Sequence, residues 1–228
     1  MELFGATHLA VLGAILFLSL GAALLRVVGA GAGTVRAVAI ALACVLLASK
    51  VAAFLMGWPK ADLQNALPMH LCDWTCFAAM IALVWRRQLA FEMTWFWGLG
   101  GSLQALLTPD LAYDFPDPRF LAFFISHGGI LVAIALLAFG MRMRPVPASL
   151  LRILLWTNLY VVIAGGLDYL LGANYGYLCQ KPVHASLLDH LGPWPYYILS
   201  LEGINLASCL IWYAPFFAYD LLRRKGRD

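Results

Sequence analysis

Seven apolar runs of about 20 residues, joined by short polar connections, leave this chain few ways to fold. A helix rises about 1.5 Å per residue, so a run of that length crosses roughly 30 Å of hydrocarbon. Within hydrocarbon only helices and closed barrels satisfy their own backbone groups. The runs are 7–25, 35–56, 67–85, 89–108, 119–141, 150–171 and 194–222. The fourth is the least hydropathic, because it holds Gly98, Gly100, Gly101 and Gln104. Only 12% of residues are charged and 63% are hydrophobic, whereas a soluble domain carries about 25% charged residues. That charge cannot coat a water-facing surface. The expected architecture is all-α, a polytopic transmembrane bundle of seven spans in one domain, 1–228. No domain-length linker or repeat interrupts it, and MELFGATHLA has no basic segment of a cleavable signal.

The basic residues predict orientation. Eleven of fifteen fall on one side: Arg26, Arg36, Arg86, Arg87, Arg142, Arg144, Arg152 and the tail Arg223, Arg224, Lys225, Arg227. Lys60, Arg119 and Lys181 fall on the other, and Lys50 lies within a span. The positive-inside rule then sets the N-terminus outside and the C-terminus in the cytoplasm, as in a multi-pass protein of a bacterial cytoplasmic membrane. The last outer connection is long. In it Trp194, Tyr196 and Tyr197 fit an interfacial belt, and ASLLDHL fits a partial helical turn.

Ionisable groups within spans are costly, by roughly 2.5–3.5 kcal/mol on insertion scales. Lys50, Cys72, Asp73, Gln104, His127, Asp168 and Glu202 all lie about 5–12 Å from the outer ends of their spans. Asn205 is somewhat deeper and Asn158 nearer the middle. The cytoplasmic half reads as almost free of such groups. This layering predicts a polar cavity open to the outer side. A hydrogen-bonded ion-pair network that only fastens helices, such as Lys50 with Glu202 or Asp168, is the alternative.

The stretch LPMHLCDWTC concentrates reactive side chains. At about 100° per residue, with His70 at zero, Cys72 falls near 200°, Cys76 near 240° and Asp73 near 300°. The thiols share a face and His70 points away, so Asp73 is placed to orient His70 or hold Lys50. A nucleophilic Cys72 needs a base from another helix. His127, in FISHGG, is the histidine at matching depth, and the glycines after it permit close approach of a helix or an acyl chain. Lys50, Gln104 or Asn205 would stabilise an oxyanion. The splayed angles argue against a metal site at His70, Cys72 and Cys76. A disulfide from Cys179 to Cys72 or Cys76 is a rival use of the thiols. No Walker, GxSxG or HExxH motif occurs. No cofactor, metal or nucleic-acid partner is expected, and membrane lipids are the expected partner.

LPMHLCD, ISHGG and SLLDHLGPWPYYILSLE, in that order, resemble the YwaF family of bacterial integral membrane proteins. That family is similar to a eukaryotic transmembrane acyltransferase family that remodels ether phospholipids through a cysteine, and more distantly to androgen-induced membrane hydrolases. The resemblance implies lipid acyl transfer or ester hydrolysis, with Cys72 at the nucleophile position and His127 at the histidine. Lys50, His70, Asp73, Gln104, Asn158, Asp168, Glu202 and Asn205 are the expected supporting residues. A proton-coupled or small-molecule transporter, or a receptor or scaffold without turnover, remains the alternative from composition alone.

Overall fold

Each apolar run contributes a helix. The computed structural model describes residues 2–57, 67–182 and 187–225, and among these the regular elements are all helical. Lys60, Asp62 and Arg227 lie outside the described residues. The helices are α1 (Ala6–Leu24), α2 (Ala32–Gly57), α3 (Leu71–Trp85), α4, α5, α6 (Pro147–Leu171) and α7 (Tyr196–Lys225). α4 begins as Gln88–Trp97, passes through a π-helical stretch at Gly98–Ser102 and ends as Leu103–Leu107. α5 is Pro118–Ala135 and finishes in a second π-helical stretch, Leu136–Gly140. The piece predicted within the last outer connection is a 3₁₀ turn, Leu187–His190.

Among the described residues, five segments are long and apolar enough to cross a membrane: Ala6–Leu24, Ala32–Met56, Pro118–Gly140, Pro147–Leu171 and Tyr196–Leu222. The other two expected spans depart from a simple helix. α3 is apolar but has 15 residues, because Pro68 disfavours helical backbone before it and His70 is still extended (φ −68°, ψ 149°). α4 reaches span length only by way of its π-helical stretch.

α5 is the hub. It packs against α1, α2, α3 and α4, while α6 and α7 lie outside α4. In its apolar window 61% of residues are buried, against at most 22% in the other four spans. Gly128 and Gly129 set this closeness: a Cβ would lie 2.6 Å from Ile15 of α1 at one and 2.7 Å from Leu46 of α2 at the other. The glycines after His127 therefore serve helix approach. His8, fully buried on α1, is held by its Nε2 to the Leu106 carbonyl at the end of α4 (2.8 Å). The outward faces stay apolar, with Phe17 76%, Val162 70% and Leu199 72% exposed. Surfaces of this kind belong against lipid, and the chain is a multi-pass membrane protein.

At the end of the bundle rich in arginine, here the basic end, these charges meet helix C-termini, whose last carbonyls lack partners within the helix. Arg26 Nε donates to the Gly140 carbonyl (3.2 Å), Arg36 Nη1 to that of Leu83 (3.1 Å) and Arg86 Nη2 to that of Met141 (2.9 Å). The same end corrects the expectation of a half almost free of polar groups. Glu92 of α4 is completely buried. Its Oε1 accepts from Gln88 Nε2 (2.8 Å), Ser149 Oγ (2.6 Å) and Arg152 Nη2 (2.5 Å), and its Oε2 from Arg152 Nε (2.8 Å). One carboxylate thus staples the start of α4 to the start of α6.

Removing one partner of a buried pair leaves an uncompensated charge, which costs about 3–5 kcal/mol when both partners are buried. Arg152 is 40% exposed and can recover water, so Glu92→Ala is expected to cost about 2–3 kcal/mol. Glu92→Gln, which keeps an acceptor for Ser149, should cost less. Unfolding in detergent micelles, followed by circular dichroism, measures both.

Candidate functional site

At the opposite end, next to the connection between α6 and α7, polar side chains from α2, α3, α4 and α6 converge. Asp73 anchors them. Its Oδ1 pairs with Lys50 Nζ (2.5 Å) and its Oδ2 accepts the His70 backbone N–H (3.1 Å). Lys50 is therefore matched with Asp73, not with Glu202 or Asp168. His70 precedes the first turn of α3, so the helical angle assigned to it does not apply. Its ring stands edge-on to Tyr175 and beside Tyr177, and its Nδ1 accepts the Gly176 N–H (3.3 Å). That proton acceptance marks Nδ1 as the unprotonated nitrogen of a neutral ring.

Asp168, at the end of α6, holds the same loop. It is 1% exposed, and its Oδ1 accepts the Tyr175 N–H (2.7 Å). Beneath the loop Tyr160 lies within electrostatic reach of Cys72, Asp73 and Asp168, and its ring packs on Trp74. Gly176 is required here, since a Cβ would come within 2.4 Å of the Tyr160 hydroxyl and the residue sits at φ +65°.

Cys72 is half-buried on α3, one turn before the fully buried Cys76, and its thiol confronts Ser102 at the end of the π-helical stretch of α4. Asp168 Oδ2 is buried with no hydrogen-bond partner among the described residues, while the buried Ser102 and Tyr160 hydroxyls miss full hydrogen-bond geometry with their neighbours, the Cys72 thiol and the Leu71 backbone. All five cysteines are free, so the disulfide from Cys179 is not formed. Nor do three His, Cys, Asp or Glu side chains come together in metal-holding geometry among the described residues.

His127 is half-buried on α5, within electrostatic reach of Lys50, Asp73 and His70. Its Nδ1 lies 2.9 Å from the Phe123 carbonyl and its ring stacks on Phe123 at 4.2 Å. A nitrogen facing a carbonyl must carry the proton, which leaves Nε2 as the free base. No hydrogen bond joins His127 to Cys72.

The remaining expected residues lie apart in their contacts. Gln104 is exposed and donates to Thr108 Oγ1 on its own helix (2.8 Å). Asn158 donates to the Leu154 carbonyl (2.9 Å) and neighbours Glu202 across α6 and α7. Asn205 Oδ1 accepts from the Cys209 thiol at 3.8 Å. Tyr197, expected in an interfacial belt, is 1% exposed and donates to the Tyr177 carbonyl, whereas Trp194 and Tyr196 are exposed. In the loop, Tyr177 donates to Asp110 (3.2 Å), and burial with that carboxylate beside it pushes its phenol up to about 12. Ser102 and Tyr160 carry no charge and so do not stand out in the sequence among the ionisable residues of the spans. A hydroxyl inside a glycine-rich run and a tyrosine in mid-span were the available signals.

Replacing Gly176 by alanine is expected to cost about 1–2 kcal/mol from its left-handed backbone alone. It should also displace Tyr160 and loosen the loop over His70. Unfolding in micelles checks the first effect, and the rate at which a thiol reagent reaches Cys72 checks the second.

A family model described as the TMEM164 family matches residues 3–213. A relative in Treponema pallidum (strain Nichols), described as an uncharacterized protein, is 27% identical over 153 residues. The match takes in 67% of this chain and 63% of the relative, so the chain spans under two thirds of the relative's length. No solved structure matches. With nearly its whole length inside one family model, the chain belongs to the TMEM164 family.

Proposed function

We propose that this protein is a membrane-embedded lipid acyltransferase or ester hydrolase with Cys72 as nucleophile. The observation that carries the reading is the pair of buried hydroxyls beside that thiol, Ser102 Oγ and Tyr160 Oη, neither in full hydrogen-bond geometry with a partner. Leaving a buried polar group unpaired costs about 1–3 kcal/mol, and groups of this kind are suited to partners that arrive with a substrate. Membership of the TMEM164 family agrees with the resemblance to a cysteine-dependent ether-phospholipid acyltransferase family. The chain then spans a bacterial cytoplasmic membrane seven times, with α3 and α4 as the third and fourth spans, the loop end outside and the basic end in the cytoplasm.

On this reading the chemistry runs in two halves. His127 Nε2 takes the Cys72 proton through intervening water, since no hydrogen bond joins the two side chains. The thiolate attacks the ester carbonyl, an S–C bond forms, and the C–O bond to the leaving alcohol breaks as the imidazolium returns the proton to the alkoxide. An acceptor hydroxyl, of a lysophospholipid or of water, gives its proton to His127 and attacks the thioester, which releases Cys72. The Ser102 and Tyr160 hydroxyls donate to the oxyanion in both halves. Lys50 is committed to Asp73 and positions Cys72 by fixing the start of α3.

A lipid-mimetic ester probe tests the assignment. Cys72→Ala should abolish covalent labelling and His127→Ala should slow it by about 10²-fold or more. Labelling that survives both substitutions sinks the nucleophile. Ser102→Ala and Tyr160→Phe should each lower turnover by about 10²-fold, with KM nearly unchanged. Equal effects on KM and turnover would remove these hydroxyls from the oxyanion role and leave Cys72 in place.

A further inference from the structure

A groove of 1070 Å³ runs between α1, the second half of α4, α5 and α7. Its walls are almost wholly apolar, with Leu12, Leu103 and Ala138 among them, yet its basic end is lined by Arg142 and Arg144. Arg144 is committed, paired with Asp220 (2.5 Å) and lying over Phe216 and Tyr219. Arg142 is exposed, stands at φ +58° just beyond α5, and makes no ion pair among the described residues. Arg26, bonded to the Gly140 carbonyl, brings a further positive charge to the same level and ties the end of α1 to the end of α5.

Deeper in the groove Ser19 of α1 offers a buried hydroxyl oxygen without a partner. A serine in a helix ordinarily bonds a carbonyl one turn back. Ser19 lies five residues before Leu24, where α1 ends, so it sits about 7.5 Å along the helix from the end that Arg26 ties to Gly140. From the mouth inward the groove therefore presents a cation, then a hydroxyl, then a long apolar trough. A glycerophospholipid presents the complementary series: an anionic phosphate, an ester carbonyl and an acyl chain.

We propose that this groove binds one anionic glycerophospholipid from the leaflet at the basic end. Its phosphate meets Arg142, an ester carbonyl accepts from Ser19, and an acyl chain lies in the trough. The site is separate from Cys72 and stands whether or not Cys72 is a nucleophile. Basic pockets between spans at such a surface gain about 1 kcal/mol per Lys or Arg from anionic lipid, which is about fivefold in affinity.

The full chain, delipidated in detergent, is titrated with phosphatidylglycerol, phosphatidylcholine or glycerol 3-phosphate, and bound lipid is counted by native mass spectrometry. The parent should retain one phosphatidylglycerol in preference to phosphatidylcholine, and glycerol 3-phosphate should not displace it. Arg142→Gln, at an exposed position that leaves the fold intact, should weaken phosphatidylglycerol about fivefold and phosphatidylcholine little. Ala138→Phe, which fills the trough, should weaken both lipids. Unchanged phosphatidylglycerol binding by Arg142→Gln overturns the proposal. So does displacement by glycerol 3-phosphate, which would mark a site for free anions and not for lipid.

Discussion

The Asp73 carboxylate carries two duties that the loop end of the bundle depends on. One oxygen neutralises Lys50, a charge that would otherwise stand alone within a span, and the other holds the His70 N–H where α3 begins. Together they fix the height and rotation of α3 against α2, and hence the direction of Cys72. Through His70 the same anchor reaches the Gly176 N–H, so the loop is located relative to the helix that bears the thiol. Asp168 grips the loop from α6, and the two carboxylates clamp it from both sides.

The arginines at the basic end read equally well in two ways. Counted along the sequence they set orientation. In three dimensions Arg26, Arg36 and Arg86 reach carbonyls at or near the C-termini of α3 and α5. Helix ends that meet the interface need donors, and a long cationic side chain supplies one while keeping contact with headgroups. The asymmetry that predicts orientation is also part of what holds the fold.

The helices were legible because apolar runs of span length have little alternative in hydrocarbon. Ends were misjudged where local backbone chemistry intervened. Pro68 and extended His70 delay α3 to Leu71, and that delay removes His70 from the helical wheel used to place it. The pairing of Asp73 with Lys50 was among the options open from spacing, whereas Glu92 with Arg152 was not. Those two lie 60 residues apart, and each falls close to a predicted span end, where a charge passes for a flanking residue. Gln104 and Glu202 share a depth with the site, with Asn205 and Asn158 deeper, but none shares its contacts, because depth along a helix says nothing of the direction a side chain takes around it. Ser102 and Tyr160 carry no charge and so gave no signal of cost.

The π-helical stretch Gly98–Ser102 has a consequence of its own. A π turn holds one residue more than an α turn, so everything after it is turned by about 100° relative to an unbroken helix. Ser102 points at Cys72, and the Leu106 carbonyl meets His8, only with that surplus residue in place. Relaxation of Gly98–Ser102 to ordinary α-helical winding, with no residue lost, would leave the sequence and hydropathy of the segment untouched. It would nonetheless re-aim the far half of α4, withdrawing a hydroxyl from the thiol and an acceptor from α1 in one step.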